Sequence, residues 1–210
     1  MRMSAAGILL LEHFEGCVLY PYDDADHVWP RRRLVKTNAG VVYADGSGKV
    51  KGYPTIGIGH VILAGENLWH DITRNEAVAL LRKDIAPREG AVARHVEPEL
   101  NAHQFDACVS LAYNIGVGAF AKSSLLRAIN ERRWSDCPAL FALWNKSLGK
   151  VNNGLVIRRA KEAALFMEPM PLETIDVGMV MSSVWQTADR MIAELNAAGK
   201  PPTDPSKENA

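Results

Sequence analysis

The chain has 210 residues, equal numbers of acidic and basic side chains, 48% hydrophobic and 23% charged residues. That length supports one sizeable core, and the composition is ordinary for a globular protein. Zero net charge gives no argument for a nucleic-acid partner, and three cysteines without paired spacing (Cys17, Cys108, Cys137) exclude a disulfide framework and a cysteine metal site. They read as buried free thiols of a protein made in a reducing compartment. Charge is unevenly spread: residues 168–210 hold seven acids against three bases, which leaves residues 1–167 mildly basic.

In chain order, Ser4 can cap a helix that runs to about Phe14, with Ile8, Leu11 and Phe14 as its buried stripe. The apolar run at Ile8–Leu11 is too short to span a membrane and meets Glu12 at once, so it reads as the first helix rather than a leader. Glu15 falls at the carbonyl end of that helix, where negative charge is disfavoured. Such a carboxyl suits a general acid, which must keep its proton near neutral pH, although position alone favours a solvated surface glutamate. Glu15 to Asp24 then joins the helix to a turn, with Asp23, Asp24 and Asp26 competing for any second acidic role.

Residues 25–54 read as strands and turns: Leu34–Thr37 and Val41–Ala44 are β-like, with turns at Asn38-Ala39-Gly40 and Asp45–Gly48. The triplet Arg31-Arg32-Arg33 is either a solvated loop or a contact to an anionic polymer. The run Thr55-Ile56-Gly57-Ile58-Gly59-His60 has alternate glycines that allow close backbone approach, at a spacing wrong for a phosphate cradle.

Capping boxes at Thr73–Glu76 and Asn101–Gln104 start two helices. Pro87 bends, ends or restarts the first. The second, Phe105–Ile115, is apolar nearly all round and reads as the central core helix, ended by Gly116 and Gly118. Further helices are expected over 121–132, about 137–146, 155–167 and about 182–197. The last is amphipathic and either docks on the body or meets a partner or a membrane surface; its polar face lacks the cationic character that anionic lipid favours. Residues 199–210 are rich in proline and polar residues and are expected to be disordered.

Glu15-Gly16, Tyr22-x-Asp24 and Thr55–His60 together resemble the catalytic segment of the phage-type lysozymes, glycoside hydrolase family 24. Ile72-Thr73-x-x-Glu76-Ala77 with Asp84, the run from Gln104 through Tyr113-Asn114 to Phe120 with Ser123, and Trp144 with Gly154-Leu155-x-x-Arg158-Arg159-x-x-Glu162 are similar to later parts of that family, in its order. The resemblance covers about 4–24 and 55–167. It implies an α+β, mostly helical lysozyme-like fold: a small mixed lobe with a short antiparallel sheet, a helical lobe, and a cleft between them. The expected organisation is a catalytic domain over 1–167 carrying a β-rich insertion at 25–54, an extra helical segment over 168–198, and the tail from 199.

The resemblance implies a muramidase that hydrolyses the β-1,4 bond between N-acetylmuramic acid and N-acetylglucosamine in peptidoglycan, with inversion. Glu15 would protonate the glycosidic oxygen, and Asp24 and Thr55 would hold the attacking water. Substrate binding or cleft support would fall to Tyr22, Gly59, Val61, Tyr113, Asn114, Phe120 and Ser123. His60 and Asp84 would form a structural ion pair, and Arg158 or Arg159 would approach Glu15. No metal or organic cofactor is implied. The expected partner is peptidoglycan, with no nucleic acid and no stable membrane span, the protein acting as a monomer that is made in the host cytoplasm without a signal peptide and reaches the wall through a holin. Its expected role is host cell lysis. The alternatives are a lytic transglycosylase, which needs the acid but no Asp/Thr pair, and a non-catalytic or effector peptidoglycan-binding module. The chain departs from the family pattern because Asp24 and Thr55 stand 31 positions apart. About 25 extra residues between two paired strands cost little free energy, since loop closure grows slowly with length.

Overall fold

A computed structural model describes residues 1–26, 30–169 and 176–197. The chain divides into two units, one of residues 11–86 and one of residues 1–10 with the segment from Pro87 onward. The architecture is α+β and mostly helical, with short antiparallel sheets.

The first unit holds the end of helix α1 (Ala5–Glu15), strands β1 (Val18–Asp23), β2 (Leu34–Thr37), β3 (Gly40–Tyr43), β4 (Pro54–Gly57) and β5 (His60–Val61), and the start of helix α2 (Arg74–His95). Gly16 stops α1. It adopts φ 75°, and its N–H bonds back to Glu12 O at 2.9 Å, the left-handed ending that glycine permits at least cost. The stretch expected to join α1 to a turn holds a strand, β1, and the turn follows at Asp24. Pro21 lies inside the strand, but the β1–β4 register shifts between Val18 and Tyr22, so the missing N–H falls in an irregular part of the ladder.

The sheet has the order β1-β4-β5. Tyr22 pairs with Thr55 and Asp23 with Pro54, and on the far side Thr55 pairs with Val61 and Ile56 with His60. β2 and β3 form the hairpin expected inside the insertion, from Leu34 opposite Tyr43 to Thr37 opposite Gly40. A single bridge, Tyr22 to Arg33, sets that hairpin beside β1. Leu34, Tyr43, Ile56, Ile58, Leu81 and Ile85 are buried in this unit.

In the second unit the Asn101–Gln104 box caps helix α3 (Ala102–Ile115), whose Phe105, Val109 and Leu111 are buried. Gly116 ends α3 as expected, but Gly118 does not. It sits inside a further short helix, α4 (Val117–Ala121), and Ser123 then caps α5 (Ser124–Asn130), so the helix expected over 121–132 is present but shorter. After a 3-10 turn at Trp134–Asp136 come α6 (Cys137–Ala142), a small hairpin of β6 (Lys146–Ser147) and β7 (Lys150–Val151), α7 (Asn153–Met167) and α8 (Val177–Ala197). α6 ends sooner than expected, and α8 starts sooner. Helix α2 runs through Pro87 without ending. Pro87 and Lys83, the residue whose carbonyl loses its helical bond there, are both exposed, so solvent can satisfy that oxygen.

α8 docks on its own unit. Met181, Val184 and Ala188 are buried, Trp185 receives Lys161 Nζ at 4.0 Å from its ring centroid, and Ser183 donates to Glu168 Oε2 at 3.0 Å. The part of its apolar face at Met181, Val184 and Ala188 is thereby covered. The tail expected to be disordered lies outside the described residues. The three cysteines are free; Cys108 and Cys137 are buried, and Cys17 is half-buried.

The start of α1 belongs to this unit and is held by Asp106 of α3. Its carboxylate accepts from Ser4 N at 2.9 Å, Ser4 Oγ at 2.5 Å and Gly7 N at 3.1 Å. Burial pushes the Asp106 carboxyl up to about 6 despite those three donors.

Candidate active site

Glu15 is the last residue of α1 and is half-buried. Asp24 follows β1 directly and is exposed. Thr55 is the second residue of β4 and is buried. The insertion between Asp24 and Thr55 is looped out, because β4 returns antiparallel to β1 and sets Thr55 opposite Tyr22.

The backbone of Tyr53 joins the two. Its N–H donates to Asp24 Oδ1 at 2.6 Å, and its carbonyl accepts from Asp24 N at 3.2 Å and from Thr55 Oγ1 at 3.0 Å. Asp24 thus keeps one carboxylate oxygen outside this clasp, and the Thr55 hydroxyl keeps its lone pairs. Gly52 makes room for the arrangement. A Cβ there would stand 1.9 Å from Asp24 Oδ1 and 2.6 Å from Asp23 Oδ1, so no side chain fits.

The three competing aspartates separate by environment. Asp23 is fully buried and accepts from Ala25 N, Tyr43 Oη, Lys51 N and Gly52 N at 2.7–3.0 Å. Burial pushes its pKa up, but the four donors together hold the carboxyl below its ordinary value. Asp26 is buried and pairs with Arg32 at 2.8 Å. Asp24 alone of the three is exposed. The structural role of Asp23 had no signal in the sequence: three of its four donors come from β3 and from the segment before β4, which are remote along the chain. Asp23 nails the insertion to the end of β1, next to Asp24.

Tyr22 lies in the field of both carboxylates. Burial raises its phenol, Arg31 pulls it back, and Asp24 and Glu15 raise it again. Gly59 takes φ 74° in the turn between β4 and β5, and Val61 is exposed on β5. His60 is buried between two acids, with Nδ1 2.9 Å from Asp84 Oδ2 and Nε2 3.0 Å from Glu66 Oε2. Burial lowers its pKa, but the two carboxylates outweigh burial and raise it overall. Glu66, absent from the sequence reading, also accepts from Leu63 N at 2.8 Å, and that bond, with His60, holds it below the ordinary glutamate range.

The remaining residues belong to the other unit. Tyr113 lies near the end of α3, with the Arg88 guanidinium 5.5 Å from its ring centroid, and Asn114 accepts from Arg159 Nη2 at 2.9 Å. Phe120 is fully buried and offers no open face. Ser123 spends its hydroxyl on Leu126 N and Phe120 O. Arg158 and Arg159 each stand 3.2 Å from Glu162, a buried carboxylate that also accepts from Ser110 Oγ at 2.7 Å. Among the described residues no group of three or more His, Cys, Asp or Glu is placed to hold a metal ion, and no helix is long and apolar enough to cross a membrane.

A helical α+β chain with an acid at the end of its first helix and an Asp/Thr pair on the adjoining sheet has the form of a lysozyme. Comparison with known proteins agrees. Residues 39–162 match the phage lysozyme family. The endolysin of Bacillus phage PZA is 39% identical over 173 residues, 81% of this chain and 57% of that protein. The endolysin of Salmonella phage P22 is 33% identical over 170 residues, 80% of this chain and 99% of that protein. The crystal structure of a P22 lysozyme mutant superposes with a TM-score of 0.62 at 33% identity, covering 80% of this chain and 99% of the other. The chain belongs to the phage lysozyme family. It spans little more than half the length of the Bacillus phage endolysin. The span matched to the family takes in Thr55, His60 and Asp84 but begins after Glu15 and Asp24.

Proposed function

We propose that this protein is a muramidase of the endolysin type, cleaving the β-1,4 bond between N-acetylmuramic acid and N-acetylglucosamine in peptidoglycan. Glu15 donates a proton to the glycosidic oxygen. Asp24 and Thr55 hold a water for attack on the sugar carbon, Asp24 as an ionised acceptor and Thr55 through a hydroxyl that can accept from the water while donating to Tyr53. The observation that carries this reading is the Tyr53 clasp, which binds Asp24 and Thr55 to the backbone of one residue although a hairpin separates them in sequence. Exposure favours Asp24 over Asp23 and Asp26, since a solvated carboxylate keeps its charge beside an acid that must not. Tyr22, Gly59 and Val61 support the substrate side of this sheet.

The biological role proposed is lysis of a bacterial host by a monomeric enzyme that reaches the wall through a holin. A zymogram on purified peptidoglycan, with mass spectrometry of the products, tests the reading. Hydrolysis leaves reducing muramic acid ends, whereas anhydro-muramyl ends would replace this mechanism by transglycosylation.

A further inference from the structure

Three consecutive arginines lie against three tyrosine rings. Arg31 stands 5.5 Å from the centroid of Tyr22, Arg32 4.0 Å from that of Tyr43, and Arg33 4.6 Å from that of Tyr20. Two of the three charges are already answered. Arg32 donates to Asp26 at 2.8 Å and to Ser47 Oγ at 2.8 Å, and Arg33 forks onto both oxygens of Asp71. These two fasten the insertion and are not the open cationic patch that the sequence allows.

Arg31 differs. Its backbone is anchored, because its carbonyl accepts from Tyr20 Oη at 2.7 Å. Its guanidinium has no carboxylate partner among the described residues, and its Nη1 is shut from solvent without a hydrogen-bond partner. A buried donor left unpaired is costly, so an unanswered guanidinium calls for an anionic ligand. A guanidinium fixed on an aromatic face is preorganised for the planar, two-point binding of a carboxylate. The ring beneath it is Tyr22, which faces Thr55 across the ladder and precedes Asp24 by one residue between them.

Resting on the muramidase reading, we propose that Arg31 is a specificity-determining residue that binds a carboxylate carried by the glycan strand beside the cleavage point. The family-like segments supply the reaction, and the insertion supplies the preference for an acidic over a neutral polysaccharide.

The test measures kcat and KM for wild type, Arg31→Gln and Arg31→Lys on three substrates: native peptidoglycan, the same material with its carboxyls converted to amides, and glycan strands stripped of peptide. On native wall Arg31→Gln should raise KM about tenfold with kcat within about twofold, and Arg31→Lys should recover part of the loss. Amidation should raise the wild-type KM by the same factor and leave that of Arg31→Gln unchanged. A structural role would not produce that cross-over. In native wall the lactyl carboxyl of muramic acid is amide-bonded to the stem peptide, so the free carboxylates there are those of the peptide, and stripping exposes the lactyl carboxylate instead. Dependence on Arg31 that vanishes on stripped strands restricts its site to peptide carboxylates; dependence that survives shows that it accepts the freed lactyl carboxylate as well. Equal KM for wild type and Arg31→Gln on native and amidated wall would overturn the proposal while leaving the muramidase reading standing. Wild type that cleaves none of the three would overturn both.

Discussion

Tyr22 faces Thr55 across the β1–β4 ladder, although the whole β2–β3 hairpin lies between them in sequence. From that pairing follows the Tyr53 clasp, with Asp24 on one side and Thr55 on the other. Replacing Thr55 by Val keeps the shape and removes the hydroxyl. Activity on peptidoglycan should fall about a hundredfold, the cost of a misplaced reactant, while Thr55→Ser should retain most of it. Steady-state turnover of both variants checks this.

Asp23 and Asp24 are adjacent, and their amide variants should fail in different ways. Asp24→Asn should lose most activity with little change in stability, because the side chain is exposed and accepts one bond. Asp23→Asn leaves buried donors facing an amide and should cost about 2–4 kcal/mol of folding free energy. Its four donors make Asp23 a stability residue whose loss also frees the insertion. Denaturant unfolding beside turnover separates the two effects.

Gly52→Ala places a methyl group on the Asp24 and Asp23 carboxylates. It should reduce activity at least tenfold, since displacement of a reacting group by about 1 Å is costly. Gly118→Ala, where nothing lies within 4 Å of the added Cβ, should leave activity unchanged. Parallel assays of the two variants test whether the close approach at Gly52 matters.

His60 has a raised pKa in the folded protein because Asp84 and Glu66 flank it. Its stabilising contribution is therefore complete below the unfolded value of about 6.5 and is lost as pH rises through the folded value. Glu66, whose pKa is lowered, contributes above its unfolded value and loses that contribution as pH falls through the folded one. Asp84→Asn should lower the His60 pKa and shrink the loss of stability above neutral pH. NMR titration of the imidazole and unfolding at several pH values measure both.

The legible parts of the fold were those written locally. Thr73 and Glu76, and Asn101 and Gln104, are caps whose chemistry lies within three residues, and each starts the helix that follows. Leu34–Thr37 showed its strand because the turn after it is equally local. β1 was hidden because Pro21 and the acidic run mimic a turn, and only a partner strand arriving from far along the chain makes it a strand. Asp23, Gly52 and Glu66 were hidden for the same reason: their meaning is a set of contacts made after folding. Pro87 and Gly118 break helices by propensity, yet the chain continues through both, since packing outweighs a local cost of a few kcal/mol. Glu15, Asp24 and Thr55 could be singled out only together, by resemblance, because no one of them is distinctive.

The most direct test is Glu15→Gln beside wild type on purified peptidoglycan, with turnover, stability and products measured together. The substitution keeps shape and removes the transferable proton. The proposed mechanism predicts wild-type products with reducing muramic acid ends, and a variant that folds as stably and releases no soluble muropeptides above background. Lysis by Glu15→Gln at the wild-type rate would contradict the assignment of Glu15 as the acid.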